Sequence, residues 1–185
     1  MLQAPYTVSC LLVRNPDEMK LISSSSDLIM NEDFAFGQIT PFIGSKSWLS
    51  LKLWFIFRNQ GKFGLQKIMD ERYALAQKMK TILDASPYFV VLNEVQAFSV
   101  CFLYIPKGCQ NVDEINDINR KIHDKLLLTG KYFLHQFALH DDCGIIKKGE
   151  IFWPLRFFSG NPMNTSENLT EMLTNIQSIA EEILI

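Results

Sequence analysis

The chain has 185 residues, 48% of them hydrophobic, which is material for one domain or one and a half and too apolar for a disordered chain. Its 18 basic and 20 acidic residues are mixed along the sequence and leave a net charge of −2, so there is no electrostatic footprint for nucleic acid or an anionic membrane. No basic segment leads into an apolar core and a small-residue cleavage site at the amino terminus, so secretion is not signalled and a cytoplasmic location is expected.

Residues 9–14 read as a buried strand, a short apolar run closed by the turn residues Asn15, Pro16 and Asp17. Residues 22–36 hold four consecutive serines with Asp27, Asn31, Glu32 and Asp33; they bury too little apolar surface to offset ordering and read as a mobile loop. Pro41 keeps residues 39–44 extended. A helix over about 46–58 follows. Its apolar stretch is about half the roughly 20 residues that span a bilayer and contains Lys52, so it reads as a buried helix. Gly61 separates it from a second helix, in which Leu65, Ile68, Met69, Leu75, Ala76, Met79, Ile82 and Leu83 keep one apolar face and which Pro87 ends.

Residues 89–92 and 99–105 read as strands, and 113–128 as a helix with Ile115, Ile118, Ile122 and Leu126 inward and Gly130 as its stop. Two further strands are expected over 131–139 and 151–158. Asn164, with Glu167 three residues on, caps a closing helix whose core face is Leu169, Met172, Leu173, Ile176, Ala180, Ile183 and Leu184. From residue 61 the order is helix, strand, strand, helix, strand, strand, helix. Hairpin neighbours outnumber crossovers, which predicts an α+β layer.

Cys10, Cys101, Cys109 and Cys143 lack Cys-x-x-Cys spacing and are expected to be reduced thiols, two of them in apolar strand-like runs. His123, His135 and His140 are too scattered for a triad or a metal site, and the last two fall on opposite faces of one regular strand. Asn164-Thr165-Ser166 and Asn168-Leu169-Thr170 match a glycosylation pattern that has no secretory signal to give it meaning. Arg156 stands out. It lies among Phe152, Trp153, Leu155, Phe157 and Phe158, where a guanidinium is costly unless an acid of its own chain pairs with it or its stem lets it snorkel to water.

Four separated segments carry a resemblance. The opening Met1-Leu2-Gln3-Ala4-Pro5-Tyr6 leads into the apolar run from Val8. Gly44 precedes Ser47-Trp48-Leu49-Ser50-Leu51-Lys52-Leu53-Trp54 and then Gly61 and Gly64-Leu65. Ser99-Val100-Cys101-Phe102-Leu103-Tyr104-Ile105-Pro106 is the third, and Leu155-Arg156-Phe157-Phe158-Ser159-Gly160-Asn161-Pro162 with Thr165 the fourth. In this order they resemble the group II pyridoxal phosphate (PLP) decarboxylases, a family that includes glutamate, cysteine sulfinate and aromatic amino-acid decarboxylases.

The resemblance implies the small carboxy-terminal domain of a fold-type I PLP enzyme, an antiparallel sheet with helices on one face, over 61–185. Residues 1–60 would be the end of the large domain with its linking helix, whose apolar surface the rest of that domain would cover. It implies that the cofactor lysine stands just before residue 1, so that no PLP is expected to be held by this chain alone and no catalytic residue is assigned. It further implies that Arg156 holds a substrate carboxylate and that Phe42, Ile43 and Gly44 line a partner's substrate pocket across a dimer. Ser45 replaces an arginine of the family pattern. The serine-rich loop matches a mobile loop that commonly carries a proton-donating tyrosine, and no tyrosine occurs between Tyr6 and Tyr73. Phe34 and Phe36 could fill such a space but not donate a proton. Two functions follow as expectations: the carboxy-terminal part of a PLP-dependent amino-acid decarboxylase, inactive alone, or a catalytically dead domain that works by association, as a homo-oligomer or with a complementing amino-terminal fragment.

Overall fold

The computed structural model describes residues 12–15, 17, 18 and 48–184. It divides into two compact units, and the boundary between them falls at Lys62 and Phe63. In the first unit, Asn15 makes the expected turn: its carbonyl accepts from Glu18 N at 3.2 Å and its Oδ1 from Asp17 N at 3.1 Å. The strand expected over 9–14 is not formed in its described part. Residues 12–14 pair with nothing described and Leu12 is exposed, because an apolar run becomes a strand only against a partner strand and a covering layer.

Helix α1 (Leu49–Asp84) is interrupted at Gly61, whose φ of 60° and ψ of −176° leave the helical region in a conformation that glycine adopts without a Cβ clash. The piece before Gly61, expected to be buried, is exposed at Trp48 (74%), Trp54, Phe55 and Phe57. Apolar side chains project from it in every direction, so packing along a single stripe cannot bury it. The loop expected over 22–36 and the segment 39–44 lie outside the described residues.

The second unit is an α+β layer. Strands β1 (Phe89–Val91), β2 (Ser99–Tyr104), β3 (His135–Gln136) and β6 (Leu155–Phe158) form a four-stranded antiparallel sheet in the order β1-β2-β6-β3; β4 (Leu139–His140) and β5 (Ile151–Phe152) form a two-stranded one. Helices α2 (Val112–Thr129) and α3 (Ser166–Leu184) complete it. Alternate residues Val100, Phe102, Tyr104, Leu155 and Phe157 turn one sheet face into a single core with Ala76, Met79 and Leu83 of α1, Ile118, Ile122 and Leu126 of α2, and Leu169, Met172, Leu173 and Ile176 of α3. The helices thus cover one face. On the other, Leu103, Ile115 and Phe152 close one end as a smaller cluster.

Two expected strands are each broken. The run 131–139 splits between sheets, since Gln136 pairs with Leu155 of β6 while Leu139 pairs with Phe152 of β5. This also separates His135 from His140, which lie on different strands. The run 151–158 breaks at Trp153 and Pro154, where proline has no N–H to give the ladder. The caps are chemical. Asn111 Oδ1 accepts from Asp113 N at 3.0 Å to start α2, and Gly130, at φ 65°, ends it by donating to Leu126 O and Leu127 O. For α3 the cap is Thr165 rather than Asn164: Thr165 N donates to Asn168 Oδ1 at 3.0 Å and Asn168 N to Thr165 Oγ1 at 3.4 Å, a reciprocal box one residue later than the sequence suggested. Leu184, expected in the core, is exposed, and Ile179, not expected there, is buried in it.

The loop between β4 and β5 closes around Asp141. Its carboxylate is buried and accepts from Ile145 N, Ile146 N and Lys147 N at 2.8 to 2.9 Å. Burial pushes this carboxyl up, but the N–H groups of Ile146, Ile145, Lys147 and Gly144 together outweigh it and hold the group below its ordinary value. A depressed carboxyl contributes stability that is complete above the unfolded value of about 3.9 and is lost as the pH falls through the folded value. Urea unfolding at pH 7 and at pH 3 is therefore expected to show a larger loss of stability on acidification for the native chain than for Asp141→Asn; equal losses would remove Asp141 from the account.

Candidate functional site

The sheet face away from the helices carries Ser99 and Cys101 of β2 and Arg156 and Phe158 of β6, and the registers place Cys101 and His135 directly opposite Arg156 on either side. On this face Leu103 and Cys101 are buried, Ser99 is half-buried and Phe158 is exposed. Arg156 is half-buried, its Nε donates to Ser99 Oγ at 2.8 Å, and its guanidinium lies over the Phe158 ring with Cζ 5.5 Å from the centroid. Every ion pair among the described residues lies elsewhere, so no described acid meets Arg156. Of the two ways a guanidinium in this strand was expected to be satisfied, a carboxylate among the described residues is not used. A neutral hydroxyl and an aromatic face hold it, and the outer nitrogens are left to face solvent or a ligand.

A cleft opens beside it because β3 is so short. After His135↔Arg156 and Gln136↔Leu155 the pairing stops, the segment 131–134 leaves β6, and the outer edges of Phe157 and Phe158 are unpaired. The resulting cavity has a volume of about 650 Å³ and is lined by Arg156, His135, Phe133, Phe158, Asn161 and Asn164 among others. That is enough room for an amino-acid-sized ligand with its acid end on Arg156. Cys101 faces the same side. Burial pushes its thiol up, and the Ser99 hydrogen bond and the Arg156 charge pull it down without prevailing, which favours the protonated thiol.

The remaining assigned residues, Phe42, Ile43 and Gly44, lie outside the described residues, so they are not placed against Arg156. Ser99 was missed as its partner: which residue faces which across two strands 57 positions apart is set by register, which a single sequence does not encode. Among the described residues no group of three His, Cys, Asp or Glu is arranged to hold a metal. None of the described lysines is buried. No described helix is long and apolar enough to cross a membrane.

Comparison with known proteins agrees with this architecture. The pyridoxal-dependent decarboxylase conserved domain matches residues 1–105. The aromatic-L-amino-acid decarboxylase of Bacillus atrophaeus is 27% identical over 188 residues, a match that takes in 98% of this chain and 37% of that protein. Tyrosine decarboxylase 2 of Arabidopsis thaliana is 27% identical over 177 residues, covering 96% of this chain and 30% of its own length. Among solved structures, mouse CSAD in its apo form superposes with a TM-score of 0.72 at 16% identity, covering 90% of this chain and 34% of that one, which is a likeness of fold. The chain spans about a third of the length of the relatives it matches, and within that span their family is shown: it belongs to the pyridoxal-dependent decarboxylases of group II, with the fold of the fold-type I enzymes.

Proposed function

We propose that this chain serves as the carboxy-terminal part of a PLP-dependent amino-acid decarboxylase, in which Arg156 receives a carboxylate of the amino-acid substrate. The observation that carries this reading is the state of Arg156, a half-buried arginine oriented by a hydroxyl and a ring, beside a cleft, with no described acid to neutralise it. A planar fork of this kind takes a carboxylate through two parallel hydrogen bonds. PLP, when bound in a completed enzyme, supplies the electron sink. Phe42, Ile43 and Gly44 retain their proposed place at a partner's pocket on the family match alone.

The chain by itself is proposed to be inactive, which the exposure of its described lysines supports. Mixing it with PLP and removing the excess is expected to leave no stoichiometric imine absorbance, and a band abolished by substituting one lysine of this chain would overturn this. For Arg156 the expectation concerns stability. Removing a ligand-facing guanidinium by Arg156→Leu loses a bond to a partly exposed hydroxyl, about 1 kcal/mol or less, whereas breaking a buried ion pair would cost about 3 to 5 kcal/mol. A loss in the larger range on urea unfolding would sink the ligand role.

A second reading, association without catalysis, is favoured by the first piece of α1, where Trp48, Trp54, Phe55 and Phe57 are exposed together. Chains that stay monomeric seldom show such a patch. Its partner would be another copy of this chain or a complementing amino-terminal fragment. Sedimentation at tens of micromolar is expected to show self-association that Trp54→Lys weakens, and a clean monomer would count against it.

A further inference from the structure

Arg72, on the piece of α1 after Gly61, is only 8% exposed and shares the core-facing stripe of Ala76, Met79 and Leu83. A guanidinium buried there is costly unless its donors are met. Among the described residues its one ionic neighbour is the adjoining, half-exposed Glu71 at 3.8 Å, and its Nε meets no acceptor. Its side chain reaches main chain at one point, where Nη1 donates to Asn161 O at 2.6 Å, and its own main-chain carbonyl accepts from Ser159 Oγ at 2.7 Å. Both lie just past the end of β6.

From there the contacts run back to Arg156. Ser159 N donates to Phe98 O at 2.9 Å, which fixes the start of β2. The next residue is Ser99, whose hydroxyl takes the Arg156 Nε. The Phe158 ring beneath the guanidinium is folded onto Gly160, where a Cβ would lie 2.7 Å from ring Cε1. Of the two groups that touch Arg156, Phe158 thus adjoins the turn that Arg72 contacts, and Ser99 follows Phe98, which that turn bonds. A methionine would fill the stripe at lower desolvation cost, so what the guanidinium adds is the grip on that turn.

We propose that Arg72 is a positioning residue for Arg156: by clasping Ser159 and Asn161 it fixes the register that sets Ser99 and Phe158 against the Arg156 guanidinium. The inference deepens the reading of Arg156 as a carboxylate ligand and rests on that reading for its functional meaning, though not for its geometry.

The test is the Nε–H resonance of Arg156 in the isotope-labelled full chain, identified by its loss in Arg156→Lys. Arg72→Met and Ser159→Ala are expected to move this resonance toward that of an exposed arginine and to speed its solvent exchange about fivefold, the weight of one ordinary hydrogen bond. The Tyr104 amide, which Asn119 Oδ1 holds at the far end of β2, should stay unchanged as the internal control. An unaltered Arg156 signal overturns the proposal. So does a change matched at Tyr104, or unfolding of both variants, because Arg72 would then hold the domain rather than the arginine. Titration with glutarate, a dicarboxylate, separates the two readings. If the Arg156 signal depends on Arg72 but ignores glutarate, the ligand role fails and the positioning role stands; if it responds to glutarate and is indifferent to Arg72, the reverse holds.

Discussion

Pro154 imposes the constraint around which the sheet is arranged. The register of β2 with β6, Ser99↔Phe158 through Phe102↔Leu155, would next bring Leu103 to Pro154 and Tyr104 to Trp153, but the ladder stops there. Tyr104 then has a buried N–H and C=O aimed at a strand that has left, since Cys101 and Ile105 use theirs on the β1 side. Buried main-chain groups without partners are expensive. Asn119, wholly buried in α2, satisfies both: Oδ1 accepts from Tyr104 N at 2.9 Å and Nδ2 donates to Tyr104 O at 2.8 Å. One turn earlier, Asn116 accepts from Trp153 N and donates to Ile151 O, and Gln136 donates to Trp153 O. Side-chain amides of one helix and one edge strand thus replace the missing rungs.

That substitution locks α2 to the sheet through directional bonds as well as through its apolar stripe. Apolar packing alone tolerates sliding of a helix along its groove. An amide that must meet a donor and an acceptor on the same residue does not, so the α2 register is fixed to within a hydrogen bond's reach. Ile115, next to Asn119 on that helix, can then close the second cluster with Leu103 and Phe152 on the opposite face.

The sequence made legible whatever depends on local chemistry. The 3.6-residue spacing of Ile115, Ile118, Ile122 and Leu126, the Gly130 stop and the apolar face of α3 are all short-range signals and reappear in the fold. Pairing was not legible, because the two-way split of 131–139 depends on which strand each pair of residues meets. Yet two signals were available and unused. Arg72 falls on the same spacing as Ile68, Leu75, Ala76 and Met79, and Asn119 on that of Ile115 and Ile122, and a polar residue in an apolar stripe is where a buried hydrogen-bonding duty should be sought. For the site, Arg156 was legible by its incongruity, a charge in an aromatic strand. Its setting on Ser99 and Phe158 was not, being a product of register and of the room left at Gly160.

Strand β6 is only four residues long, too short for its own ladder to hold a long side chain still. It is instead fixed at both ends, by the amide network where Pro154 begins it and by the Ser159 and Asn161 contacts where it finishes. Arg156 sits between the two anchors. Fixing a four-torsion side chain from free rotation costs up to about 2 kcal/mol, and here folding meets that cost before any ligand arrives. An anion reaching Arg156 would meet a fork already oriented.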